Sequence, residues 1–484
     1  MAGRPKKPRD CRHPVLCLDV SLHAAQAGFT RPSPRERMAA VTKDGRSGKS
    51  WPTLTSKDLF NDEATFPAPL VLPDDDLATD PDWPPQDVKE WDEDEERNAI
   101  TPQRKTIYVV PSPEIMQEME PMRSWAVPAV SDTSNVPVKV EPPKMDDVQA
   151  YLAAVYYGMD VKILGEKFYW QAWEYEKGAS RASTSRGKAA GRIRKPRYDG
   201  TPLEVSEEER RVGLKTPKNA VFGIRCRPSP DRASLMQVNL DDVLDALLES
   251  IPEDAYAIMM LLEQDVWEGD DDIFTGGRAY GGSRIAVVSG FRDQHSCLPE
   301  DDGHGWPLSH CQDYVDGLCQ RSRSSTEARA GVGNAGSGPM HAAAKASASV
   351  LKRPTPEKLS LEWTSRIVQT MTHELGHCLG LDHCVYFACV MQGCGSTAEG
   401  VRQPPYFCPV CLEKVITGIG EGLVEGWNDQ GTEAQTKRSQ FVRERYEALR
   451  HVCERLNDRE HSRMFVGYEA WLEGVSSIAN RPLA

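Results

Sequence analysis

Apolar residues occur along this chain in short bursts separated by long polar stretches, and the bursts have two different periods. Ile107, Tyr108, Val109 and Val110 form a continuous run closed by Pro111, the pattern of a buried strand. From Asp146 to Tyr157 the apolar positions Val148, Leu152, Val155 and Tyr156 follow the spacing of one helix face, and residues 161–164, 168–173 and 222–227 then read as strands. Two helices are expected next: one over 238–248, opened by Asn239 or Asp241, and one over 255–263, after Pro252. The region 270–292 is the most strand-like, with turns at Gly276-Gly277 and Gly281-Gly282 and an unbroken apolar run from Ile285 to Val288. Helical periodicity returns over 361–379 and again over 433–455.

Composition divides the chain further. Hydrophobic residues make up only 39% of the 484, while 37 Gly and 35 Pro are spread through it, so part of the chain is expected not to pack. The expected organisation is an acidic, Pro-rich disordered tail over 1–104, a folded region over 105–292 interrupted by a basic insertion at 177–200, a mobile low-complexity insertion over 293–356, and a final region over 357–484. The net charge of −14 argues against the broad basic surface that non-specific nucleic-acid binding needs. No apolar stretch approaches the roughly 18 residues of a membrane-spanning helix. The opening MAGRPKKPRD has no apolar core behind its charges, so an intracellular location is expected, cytoplasmic or nuclear and not secreted. Arg4, Lys6, Lys7 and Arg9 are the candidate import signal. In a reducing compartment the 13 Cys need a purpose other than disulfides.

That purpose is suggested near the end of the 361–379 helix. The run His373-Glu374-Leu-Gly-His377-Cys-Leu-Gly380-Leu-Asp-His383 contains H-E-x-x-H extended by x-x-G-x-x-H. On a helix His373 and His377 lie one turn apart on the same face, so two imidazoles converge on one cation. Ile367, Met371, Leu375 and Leu379 form a second stripe that buries the helix. Gly380 suits a left-handed cap that turns the chain and returns His383 as third ligand, leaving a fourth position open for water, as in catalytic zinc sites. Glu374 is then placed as general base and acid, taking a proton from the zinc-bound water as it attacks a carbonyl.

Cys384 and Cys389, then Cys408 and Cys411 in Cys-Pro-Val-Cys, suit a closed tetrahedral site for a second, structural zinc, with Cys394 as an alternative to Cys389. Met391 between the pairs is a candidate for a tight turn beneath the catalytic metal. Cys378 reads as a small buried residue, Asp382 as a turn residue, and Tyr386 and Tyr406 are both candidate oxyanion donors. His295, Cys297, His304, His310, Cys311 and Cys319 crowd the expected insertion at spacings too irregular for a metal motif.

Taken together, His373, Glu374, His377, Gly380, His383, Cys384, Cys389, Met391, Cys408 and Cys411 resemble the archaemetzincins (archaelysins), a family of metzincin zinc metallopeptidases. The resemblance is sharp over 373–411 and looser over 272–292; the spacing from Met391 to Cys408 is about one residue short of the family's. It implies an α+β, zincin-like domain in which a twisted mixed β-sheet lies over the active-site helix, with 105–292 as its upper subdomain and 357–484 carrying the active-site helix, the four-cysteine zinc segment and C-terminal helices. It also implies a peptide or protein substrate and hydrolysis of peptide bonds, with an aminopeptidase-like preference attributed to some members; the two ligand sets predict two zinc ions per chain, and the acidic charge and lack of a spanning stretch predict no nucleic-acid or membrane partner. The rival reading is a zinc-stabilised scaffold that binds peptides without cutting them; an intact Glu374 favours the enzyme.

Overall fold

The computed structural model describes residues 15–46, 63–129, 140–173, 210–298, 304–321, 336–350, 355–429 and 431–479. The basic N-terminal cluster and the insertion at 177–200 lie outside the described residues. The chain divides into two compact units: one gathers Pro102–Pro137 and Asp160–Cys297, the other Met1–Thr101, Val138–Met159 and Leu298–Ala484.

The first unit holds two mixed sheets. One is built from β1 (Thr106–Val110), β3 (Asp160–Ile163), β8 (Ala255–Leu262), β10 (Gly277–Tyr280) and β11 (Ile285–Ser289), in the order β10-β11-β8-β1-β3. Its strands run parallel except β10, which pairs antiparallel with β11 at the edge. The other comprises β2 (Glu114–Ile115), β4 (Tyr169–Gln171), β5 (Arg211–Lys215), β6 (Val221–Arg227), β7 (Gln237–Asn239) and β9 (Asp265–Trp267), in the order β2-β4-β5-β6-β7-β9. A helix over Leu240–Leu248 follows β7, and Asn239 caps it by accepting from the Asp242 amide at 3.2 Å. Leu244 and Leu247 on this helix share one core with Trp170, Leu214, Met260 and Val287.

The stretch expected as a helix over 255–263 is instead strand β8. All eight of its residues are buried, and it pairs in parallel with β1 on one side and β11 on the other. A strand covered on both faces loses the polar alternation that marks strands, so its continuous apolar run has no readable period. Pairing partners distant in sequence settle the choice.

The second unit is built on helices: Met145–Val155, Pro339–Ala348, Pro356–Cys378, Pro409–Leu423, Thr432–Asn457 and Arg463–Ala479. Two expectations are corrected here. The described part of 1–104 is not an unpacked tail: Leu16, Phe66, Leu70, Leu72 and Trp91 are all buried, with short helices at Leu22–Ala27, Pro34–Ala39, Asp76–Thr79 and Val88–Glu93. Phe66 alone makes edge contacts with Tyr406 and Trp471 at 5.6 and 5.5 Å. A chain laid over a scaffold needs only scattered anchors, which produce no periodicity.

The described parts of 293–356 also pack. Trp306, Leu308, Met340 and Ala343 are buried, and the helix Pro339–Ala348 lies against Arg463–Ala479. The Ala-rich composition that resembles low complexity serves close approach instead. A Cβ at Gly467 would stand 2.9 Å from Pro307, and one at Gly474 would stand 3.0 Å from Pro339.

Candidate metal centre and active site

The helix Pro356–Cys378 opens with Thr355, whose hydroxyl accepts from the Lys358 amide at 3.1 Å, and with Pro356 in its first turn. Ile367, Met371, Leu375 and Leu379 are each no more than 2% exposed, so this stripe buries the helix. The Tyr156 hydroxyl donates to the Thr372 carbonyl at 2.7 Å, immediately before the first histidine.

At the C-terminus Gly380 has φ +81°, the left-handed region. Its amide donates to the His377 carbonyl at 2.9 Å, and the Leu381 amide donates to the Gly376 carbonyl at 3.1 Å. This pair of bonds is a Schellman termination, which satisfies two carbonyls of the last turn and reverses the chain. The reversal brings His383 back beside the helix. Ring centroids of His373 and His377 are 4.7 Å apart, and His383 lies 5.3 and 5.1 Å from them. One nitrogen from each of the three falls within a 4.8 Å cluster.

The donor set suits a zinc ion. Nδ1 of His373 lies 2.8 Å from the Val390 carbonyl, and Nδ1 of His377 lies 2.7 Å from the Leu381 carbonyl. A carbonyl only accepts, so both Nδ1 atoms carry the proton and both Nε2 atoms present lone pairs. Those two Nε2 atoms are 3.0 Å apart. Two lone pairs face each other favourably only across a cation, and a tetrahedron with Zn–N bonds of about 2.0 Å has an edge of about 3.3 Å. Burial, reinforced by neighbouring His377, pushes His373 down to about 3, which keeps it neutral and able to ligate. Glu374 follows His373 on the helix and is 7% exposed.

Cys384, Cys389, Cys408 and Cys411 form a second cluster within 4.8 Å, fully buried and not disulfide-bonded. Cys384 and Cys408 sulfurs stand 3.5 Å apart, near the edge of about 3.8 Å expected for tetrahedral Zn–S bonds of about 2.3 Å. Burial opposes charge on Cys384, but bonds from Cys389, Cys408 and Cys411 outweigh it and hold that thiol well below its ordinary value. Burial pushes Cys389 and Cys408 up. Backbone amides of Met391 and Cys408 point at the Cys389 sulfur at 3.5 and 3.2 Å, the arrangement that favours a thiolate there once a cation supplies the opposing charge. Cys394 lies outside this cluster, its thiol donating to the Ser396 carbonyl at 3.2 Å.

Met391 is fully buried against the histidine helix, where a Cβ at Gly376 would overlap its sulfur. The ligand pattern in the sequence does not point to Gly376; a glycine inside a strongly helical run is the available signal. Asp382 is a turn residue, its carboxylate accepting from the His383 amide at 2.7 Å. Cys378 is buried. The Tyr406 hydroxyl meets Met340 sulfur at 3.8 Å, and its ring stacks on Trp471 at 4.4 Å, so this side chain belongs to the core. Tyr386 is 5% exposed, and burial with nearby Cys384 pushes its pKa up, leaving it a neutral donor. Among the described residues the histidines and cysteines of 293–356 form no third cluster. His304 instead stacks on Tyr314 at 4.2 Å.

The profile of peptidase family M54 matches residues 355–417. Mouse archaemetzincin-2 is 26% identical over 193 residues, covering 39% of this chain and 44% of its own, and rat archaemetzincin-2 is 48% identical over 60 residues, covering 12% and 17%. The chain thus spans less than half the length of these curated relatives. A crystal structure of archaemetzincin from Methanopyrus kandleri aligns with 66% of this chain and 97% of its own at 16% identity and a TM-score of 0.29, a likeness too low to bear on the fold. The segment 355–417, which contains both the three-histidine and the four-cysteine clusters, is thus similar to peptidase family M54.

Proposed function

We propose that the chain is a zinc metallopeptidase in which His373, His377 and His383 hold the catalytic zinc and Glu374 is the general base and acid. The observation that carries the reading is the convergence of three imidazoles, two with lone pairs fixed inward by carbonyl bonds, beside a buried carboxylate. When bound, the zinc polarises a scissile carbonyl and acidifies the attacking water. Glu374 would take the proton from that water and pass it to the departing amine. Met391 supports the helix between the two histidines, and the four cysteines hold a structural zinc directly after His383. The substrate is a peptide or protein, and trimming of N-termini is the preference to look for first.

The test is turnover of a mixed peptide library by zinc-loaded protein beside Glu374→Gln, with zinc per chain determined for both. Cleavage by the wild type alone at equal zinc content is expected, and its cut sites report endo- or exo-cleavage. Two bound zinc ions with no cleavage of any peptide would favour the rival reading, a zinc-stabilised scaffold that binds peptides.

A further inference from the structure

The turn that carries His383 is held from outside the segment that matches the family. Gln86 lies far upstream, just before the short helix Val88–Glu93, and its side-chain amide is used on both sides. Its Nε2 donates to the Gly380 carbonyl at 3.1 Å, and its Oε1 accepts from the Asp382 amide at 3.0 Å. These are the two backbone groups that flank Leu381 in the reversal leading to His383. An amide is suited to this position because it offers a donor and an acceptor in one plane, about the spacing of a peptide group.

The same Oε1, and the Gln86 backbone carbonyl, each accept from Lys414 Nζ at 2.7 Å. Lys414 is 1% exposed and sits on the helix Pro409–Leu423, which starts at Cys408 and carries Cys411. Two further contacts from the same upstream stretch fall on the reversal. Trp91 Nε1 donates to the Leu379 carbonyl at 2.9 Å, and the Trp83 ring lies 5.2 Å from the His383 ring, tilted by 41°.

We infer that Gln86 is a positioning residue for the third zinc ligand: its amide clamps the Gly380–Asp382 turn to Lys414, so the upstream segment links the turn before His383 to the helix that carries Cys408 and Cys411. The inference rests on the histidines being metal ligands, as proposed above. The physical reason for a clamp is the geometry of the ligand set. His373 and His377 are fixed by one helix, whereas His383 lies six residues beyond His377 across a left-handed glycine, and its position depends on what holds that reversal. Replacing the amide leaves the Gly380 carbonyl and the Asp382 amide without their partner and the Lys414 ammonium with one acceptor fewer.

The experiment uses the full chain as wild type, Gln86→Met, which keeps side-chain length but neither hydrogen bond, and Gln86→Glu, which keeps the acceptor and loses the donor. Cobalt is exchanged into the histidine site, its visible d–d spectrum is recorded, and zinc affinity at that site is measured by chelator competition; thiol titration of the cysteine cluster and circular dichroism report folding. Gln86→Met is expected to weaken zinc at the histidines by about 10- to 100-fold and to alter the cobalt spectrum, with the cysteine cluster still protected and Gln86→Glu in between. Wild-type affinity and an unchanged cobalt spectrum in a folded Gln86→Met chain would overturn the clamp. Loss of cysteine protection and of helical signal in Gln86→Met, with a normal Gln86→Glu, would overturn it as well, since the residue would then be a folding requirement alone. If wild type bound no metal at the histidines, the functional reading itself would fail, a result separable from either of these.

Discussion

Gly376 offers the most direct test of how the metal site is built, because two effects of known sign oppose each other there. In a helix interior glycine is about 0.8 to 1 kcal/mol less favourable than alanine, so Gly376→Ala on an unobstructed face would stabilise the protein by about that amount. The face is not unobstructed. A Cβ at this position overlaps the Met391 sulfur and stands 3.0 Å from its methyl carbon and 3.8 Å from its Cγ. Met391 is fully buried, and its carbonyl accepts from the Cys384 amide at 2.7 Å, so neither side chain nor backbone has room to withdraw. Overpacking of this kind costs about 1 to 3 kcal/mol. The net expectation is destabilisation by up to about 2 kcal/mol, read as a melting temperature lower by about 2 to 4 °C for each kcal/mol, together with weaker zinc binding because the pressure falls between His373 and His377. The assay is thermal unfolding of zinc-loaded Gly376→Ala, Met391→Ala and the double variant. In the Met391→Ala background the added methyl meets empty space, so the same substitution should become stabilising by about 1 kcal/mol, an interaction energy of about 1 to 3 kcal/mol. If Gly376→Ala stabilised both backgrounds equally, Met391 would not be pressing on the helix and its assignment beneath the metal would be wrong.

Two further outcomes follow from the same geometry. Cys408→Ser removes one sulfur of the buried cluster and should lower turnover by about 10-fold or more by loosening His383 through adjacent Cys384, without touching a catalytic ligand; full catalytic zinc with full turnover would refute the coupling. His310 is 1% exposed, and burial pushes it down to about 3, below its ordinary value near 6.5. Between those values the unfolded chain takes up a proton that the folded chain does not, so this contribution to stability is complete above about pH 6.5 and is lost as pH falls towards about 3, at up to about 1.4 kcal/mol per pH unit. His310→Phe should flatten the pH dependence of the urea midpoint between pH 7 and 5 by that share, and an unchanged slope would show that His310 does not stay neutral in the fold.

Sequence alone determined the parts of this protein that are encoded over one or two turns of chain. His373 and His377 are four residues apart on a helix, Gly380 permits the left-handed reversal, and the Cys-x-x-Cys at 408–411 has the spacing of a metal pair, so the convergence of both side-chain clusters was readable from local geometry. The helices around 146–157, 361–379 and 433–455 and the strands β1, β6 and β11 were readable for the same reason, since their apolar positions repeat with the period of the element.

What lay beyond local geometry was decided by contacts between distant residues. The run at 255–262 is a strand because β1 and β11 pair with it, not because its own period says so. Residues 63–100 fold because isolated anchors such as Phe66 and Trp91 find pockets on a helical unit, and the glycines of Arg463–Ala479 turn an apparently featureless alanine stretch into a tightly packed helix. The bonds of Gln86 to Gly380, Asp382 and Lys414 span 294, 296 and 328 residues, and the Gly376–Met391 contact joins a helix to a loop. Such contacts leave no repeating pattern in the chain, because a single polar amide or a single small residue is enough to make them, and only the folded arrangement shows which ones hold the histidine and cysteine clusters in place.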